Sequence, residues 1–299
     1  MPSNTPMTWT RFCAISHRAA RAWVDDRASS MGAALAYYAL FSLAPLLLIV
    51  VSVAALVFDA QAARHEVVAR LRELVGPAGA AAAQGVIEGV DWPRGSWPVS
   101  LLGVGLVLAG ATTVLTELQG ALDLIWRAPP APRQGVWRLI RARVLSFVLI
   151  LGAGLLLLML LLTGTAVAAL RRWWSPLPGP WPLLIEVIDF STSFALLSLL
   201  FAMIYKLMPR VPVAWSDVRV GALVTALLFS AGRTLLGLYL GHSAVASGFG
   251  AAGSVVALLV WIYGSAQIFL LGAEFTRAWA DEDRSAQNKR DRSDEEAIP

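Results

Sequence analysis

Three charged residues stand where an apolar chain tolerates charge least: Arg233, Asp189 and Glu186. Each lies inside a stretch of apolar residues long enough to cross a bilayer. An Arg, Lys or Asp at the centre of such a stretch costs roughly 2.5–3.5 kcal/mol on insertion scales. Charges kept at that cost pair with one another, line a watery path or hold a charged ligand. Arg233 comes six residues before Tyr239, and Asp189 six residues after Leu183. At the helical rise both fall about 9 Å from the same membrane edge. Glu186 lies one turn from Asp189 on the same face. The matched depth has two readings. One is an ion pair of Arg233 with Asp189, or with Asp189 and Glu186 together, that fixes helix packing. The other is a polar cavity in which Arg233 holds an anionic headgroup or solute.

Other residues in apolar surroundings carry weaker signals. Pro45 removes a backbone donor and frees the carbonyl of Phe41, a group that Ser42 can satisfy. The pair reads as a helix break: a packed kink, or a hinge of the kind found in discontinuous transporter helices. Glu117, Asp123 and Glu274 sit at the inner ends of two stretches. As interfacial carboxylates near Arg127, Lys206, Arg210 or Arg277 they are structural; as proton carriers, Glu117 or Glu274 would couple proton movement to transport. Gln267 reads as an interhelical hydrogen bond. Gly237 and Gly241 form G-x-x-x-G, a pattern of close helix approach, followed by a small-residue run from Ser247 to Gly253.

These residues must be positioned by membrane helices. Of the 299 residues, 57% are hydrophobic and 15% charged, against about 25% charged in an ordinary soluble chain. Mean hydropathy is +0.65, too apolar for one water-soluble globule to conceal. The expected fold is all-α, a polytopic membrane bundle of six transmembrane helices: about 33–58, 99–118, 144–170, 183–207, 220–239 and 254–275. An interfacial amphipathic helix precedes them in residues 1–32, with Trp9, Phe12, Cys13, Ala20 and Trp23 on one stripe and arginines snorkelling to headgroups. A second amphipathic segment, 61–90, follows the first span, with Val67, Leu71, Leu74 and Val75 at helical spacing. Residues 277–299 are mixed in charge and read as a disordered tail.

Most of the 24 Lys and Arg fall on alternate connections and on both ends, which puts the N- and C-termini in the cytoplasm. The excess positive charge then belongs to the positive-inside bias, not to nucleic-acid binding. Arginines scattered through the first 30 residues interrupt any apolar run, so no cleavable signal is expected there. Cys13 is the sole cysteine and allows no intrachain disulfide. His17 falls inside, His65 and His242 outside, so they cannot share a metal. No phosphate loop of the G-x-x-x-x-G-K type occurs, and no cofactor is expected.

Four strings of residues, in order, resemble a known family. They are Ala33 to Leu46 in the first span and Leu118-Gln119-Gly120-Ala121-Leu122-Asp123-Leu124-Ile125-Trp126 after the second. Met208-Pro209-Arg210 follows the fourth span, and Gly253 to Tyr263 with Leu271-Gly272-Ala273-Glu274-Phe275 make up the sixth. Together they resemble the YihY/virulence factor BrkB family of bacterial inner-membrane proteins over about residues 15–280. The resemblance implies a six-helix, multi-pass protein of the cell inner membrane, and no settled activity. The family has carried the label ribonuclease BN. The residues argue against a ribonuclease, since they supply neither a metal cluster nor a domain to hold RNA.

The sequence therefore points to a transporter or flippase-like permease for a small anionic or amphipathic solute, with a polar cavity near Arg233, and not to an enzyme. The alternative is a non-transporting, envelope-organising membrane protein. Membrane lipids are the expected partners. Helices rich in Gly and Ala permit either a monomer or a dimer.

Overall fold

The computed structural model describes residues 9–54, 113–129, 181–242 and 253–296, with scattered positions at 61–85 and 152–159. The continuous stretches form six helices, and no strand occurs among the described residues. The helices are α1 (Trp9–Asp25), α2 (Ala28–Ala54), α3 (113–125), α4 (Trp181–Leu207), α5 (Trp215–His242) and α6 (Gly253–Glu296).

Local sequence accounts for the helix ends. Pro182 sits in the first turn of α4, where its missing N–H costs nothing. Met208-Pro209 follows the last residue of that helix and stops it. Asp217 places a carboxylate in the first turn of α5, where it opposes the positive end of the helix dipole. The sequence expects a span from about 220; the helix begins one turn earlier because this capped polar turn is helical too.

Segments Leu183–Leu207, Trp215–Tyr239 and Val255–Ser285 are each long and apolar enough to cross a membrane. Only 17% of the α4 window is buried. Leu183, Leu184, Val187, Ile188 and Phe190 of α4 are exposed, as are Leu223, Leu227, Leu235 and Leu238 of α5. Apolar faces this extensive need a lipid solvent. α2 adds 27 residues without a charge, about 40 Å of helix. It runs as one helix through Pro45. The Ser42 and Pro45 side chains lie outside the described residues, as do most of the spans expected at 99–118 and 144–170. So do Val67, Leu71, Leu74 and Val75, although positions 61, 64, 65, 68 and 69 are helical.

The chain forms two compact units. The first contains residues 1–26, 122–230 and 271–299; the second contains 27–121 and 231–270.

In the first unit, α1 packs on the polar half of α6. Ile15, Ala19 and Phe275 form a buried cluster, with Phe12, Val220, Val224 and Trp279 around it. This turns the expected α1 stripe: Cys13 and Ala20 are exposed, while Ile15 and Ala19 face inward. The arginines also differ from expectation. Arg11 donates to Asp283 at 3.1 Å and lies 5.3 Å over the Trp279 ring, and Arg18 pairs with Glu282. These contacts correct the reading of 277–299 as a disordered tail. α6 continues to Glu296, held by α1 and by the i,i+4 pair Arg277–Asp281. Low apolar content hid a helix whose polar residues have partners.

The same unit holds a close approach of α5 and α6. A Cβ added at Gly221 of α5 would overlap Thr276 Oγ1 of α6, and one at Gly272 of α6 would overlap Thr225 Oγ1 of α5. Each threonine is fully buried and donates to the carbonyl of the glycine four residues before it in its own helix, at 2.7 Å. Two Gly-x-x-x-Thr segments thus lie against each other antiparallel, glycine to threonine. Among the described residues nothing lies within 4 Å of a Cβ added at Gly237, and the close approach seen among them is that of Gly221 and Gly272.

In the second unit, Gln267 of α6 donates to the carbonyls of Ala28 and Ser29, both at 3.4 Å, across Gly32. It is the interhelical hydrogen bond that the sequence indicates. Gly264 faces Leu236, and Gly232 faces Ile268.

Gly221→Ala should destabilise the purified protein by about 1–3 kcal/mol, the usual cost of overpacking. Gly237→Ala should be neutral or slightly stabilising, because Ala is the better helix former. Thermal melts of both variants in detergent check this difference.

Candidate functional site

Two sets of charged residues bear on function, and the sequence names members of both: Arg233, Asp189 and Glu186 in one, Glu274 in the other. Glu186 is exposed and Asp189 half-buried on α4 in the first unit; Arg233 is exposed on α5 in the second, a helix that also exposes Leu235, Leu238 and Tyr239. The pairing of Arg233 with the two acids stays a proposal. Glu117 is half-buried on α3, in the second unit.

The second set is built around Glu274 in the first unit. Neighbouring Ala273 and Phe275 are buried, which fixes the α6 rotation that turns Glu274 inward, and Glu274 itself is 1% exposed. Both of its carboxyl oxygens lack a hydrogen-bond donor among the described residues. Its carboxyl lies within hydrogen-bonding reach of Asp26, immediately after α1, with Arg127 and Arg277 also acting on it electrostatically. The Asp26 side chain is 5% exposed. Its Oδ1 accepts a hydrogen bond from Arg127 Nη2 at 2.6 Å, while Oδ2 has no donor among the described residues.

Arg127 is held there by the end of α3. Leu122 and Ile125 are fully buried and anchor the helix. Its last turn closes with Arg127 N–H to Leu124 O at 3.0 Å and Ala128 N–H to Asp123 O at 2.8 Å, a Schellman arrangement. That motif needs a left-handed residue, usually glycine. Here Arg127 takes the role, with φ 50°. A non-glycine residue in this conformation costs roughly 1–2 kcal/mol. The ion pair with buried Asp26 offsets that cost.

Asp123 binds on the other side. Its Oδ1 accepts the backbone N–H of Arg210 at 2.9 Å, and its Oδ2 lies 3.1 Å from Arg210 Nε. The turn after α4 is therefore pinned to the end of α3, as an interfacial carboxylate near Arg210 would be. Lys206 donates to the Val213 carbonyl and lies 5.3 Å over the Trp215 ring, closing the same turn. Tyr205 and Thr225 share a buried hydrogen bond of 3.1 Å. Among the described residues no group of three or more His, Cys, Asp or Glu is placed to hold a metal ion. His17 is exposed on α1 and His65 is exposed at its own position.

Three of the strings quoted for the family resemblance meet in this unit: those containing Asp123, Arg210 and Glu274. The profile of the family described as Virulence factor BrkB matches residues 19–298. The chain belongs to the BrkB family. It is 29% identical over 279 residues to a UPF0761 membrane protein of Pseudomonas paraeruginosa, covering 90% of this chain and 62% of that one. A UPF0761 membrane protein of Azotobacter vinelandii is 29% identical over 262 residues, covering 84% and 60%. One of Klebsiella pneumoniae subsp. pneumoniae is 30% identical over 200 residues, covering 64% of each. The chain thus spans about three-fifths of the length of the Pseudomonas and Azotobacter relatives. No solved structure matches. This BrkB-family chain is an integral membrane protein.

Asp26 is the residue that sequence reading misses; it stands in Asp25-Asp26-Arg27, a run that looks solvated. Arg127 is named there as a neighbour of the inner-end carboxylates, but its left-handed backbone and its bond to Asp26 are not foreseen. Their one local sign is an arginine where a helix ends without glycine.

Arg127→Gly and Arg127→Ala both remove the ion pair, but only glycine relieves the left-handed backbone. The alanine variant should be the less stable of the two by about 1 kcal/mol. Parallel thermal melts check it.

Proposed function

We propose that this BrkB-family protein is a six-span permease of the cytoplasmic membrane, with both termini inside, that moves a small anionic or amphipathic solute, flippase-like, past Arg233. The reading rests on one observation: an exposed guanidinium within the apolar stretch of α5, a helix whose opposite face presents Leu235, Leu238 and Tyr239. Lipid does not solvate such a charge, so it needs water, an acid or an anionic ligand beside it. Asp189 on α4 is the acid at matching depth by sequence, with Glu186 one turn nearer the membrane edge. Pairing with Arg233 would set the empty state, and an anionic headgroup or solute would compete for the guanidinium. Membrane lipids are the natural partners.

Thiol labelling tests the water path. In a Cys13→Ser background, Leu236→Cys and Gly237→Cys should react with a membrane-impermeant maleimide added from outside to intact cells. Excess anionic amphiphile should slow the reaction. Inert thiols at both positions, in protein shown to be folded and inserted, would leave a dry bundle and favour the envelope-organising alternative.

A further inference from the structure

The carboxyls of Asp26 and Glu274 lie within hydrogen-bonding reach of each other inside the first unit, and no described residue places a donor between them. Arg127 serves Asp26 Oδ1 alone, at 2.6 Å. Asp26 Oδ2 and both oxygens of Glu274 are buried and receive no N–H or O–H from the described residues. The charged groups that act on Glu274 are Asp26 from the end of α1, Arg127 from the end of α3, and Arg277 from its own helix. Buried acceptors of this kind cost free energy unless a donor arrives. Two carboxylates sharing one site also repel strongly enough that one of them keeps a proton. A single proton between the two carboxyls meets both demands. It provides the missing hydrogen bond and leaves one negative charge for Arg127 to balance.

We propose that Asp26 and Glu274 form a proton-binding site, in which one exchangeable proton is shared across the junction of α1 with α6. The site is independent of the permease reading and stands if that reading falls. Its ligand is the proton itself, which needs no coordination sphere beyond the two carboxyls. Release of that proton leaves two buried carboxylates facing each other and loosens α1 from α6. The stability contributed by the pair is therefore present while the proton is bound. It is lost as pH rises through the value at which the pair gives the proton up.

Infrared spectroscopy and melting of the full chain in detergent test the site. Difference spectra of wild type against Glu274→Gln at neutral pH should show a protonated-carboxyl C=O band that shifts in D2O. Asp26→Asn should abolish the same band. The amide introduced by Glu274→Gln carries a permanent N–H donor toward Asp26. The melting temperature of that variant should stay flat from neutral to mildly alkaline pH, while that of wild type falls. Difference spectra containing only carboxylate bands would overturn the proposal. So would parallel melting curves, or a Glu274→Gln protein that is unstable at every pH, since an amide donor would then fail to replace the proton.

Discussion

The first unit depends on how closely α5 and α6 approach. Gly221 against Thr276 and Gly272 against Thr225 leave no room for a methyl group at either glycine. In lipid, apolar side chains gain little by meeting each other, since acyl chains solvate them equally well. Close backbone packing is what makes two helices associate. Each threonine hydroxyl is buried, and each is satisfied by its own helix, so the crossing hides no unpaired hydroxyl donor. Thr225 also meets Tyr205 of α4, which ties a third helix to the same point.

That crossing fixes the rotation of α6, and the rotation fixes Glu274. With Gly272 and Thr276 turned to α5, the helix carries Ala273 and Glu274 into the protein and Phe275 toward Ile15 and Ala19 of α1. The leucines of α4 and α5 are exposed at the same time. The partition is that of a membrane protein: apolar residues outside, small and polar residues at helix contacts. The polar half of α6 departs from it. There the helix leaves its apolar stretch, and ion pairs with α1 replace lipid as the surroundings.

Much of this architecture is legible in the sequence, because the energy of apolar segments is large and local. The α4 helix, Trp181–Leu207, contains an apolar segment long enough to cross a membrane where composition indicates one, and Gln267 makes the interhelical bond its position implies. The errors share a cause. The α1 stripe suits an interface with lipid headgroups only while 277–299 is read as disordered, and α1 in fact packs on that very segment. One misreading produces the other, since Arg11 and Arg18 have no visible partner until Glu282 and Asp283 become helical. Gly237 fits a familiar spacing on a single helix. Gly221 and Gly272 work only as a reciprocal set, each glycine receiving a threonine from the other helix, and no pattern within one helix displays that relation.

The polar junction at Asp26 is illegible for a different reason. A buried carboxyl is invisible in a one-dimensional pattern when its partners come from distant segments. Yet the geometry is over-determined once they meet. Arg127 holds a left-handed backbone that glycine would occupy without cost, and it does so while donating to a buried aspartate. A backbone strained to deliver one guanidinium to one oxygen, beside a second acid that accepts no hydrogen bond from the described residues, is a poor solution if stability alone is at stake. Apolar residues of similar volume would pack there at least as well. The arrangement makes sense when the imbalance itself is used, with one charge matched by arginine and the other cancelled by something that can come and go.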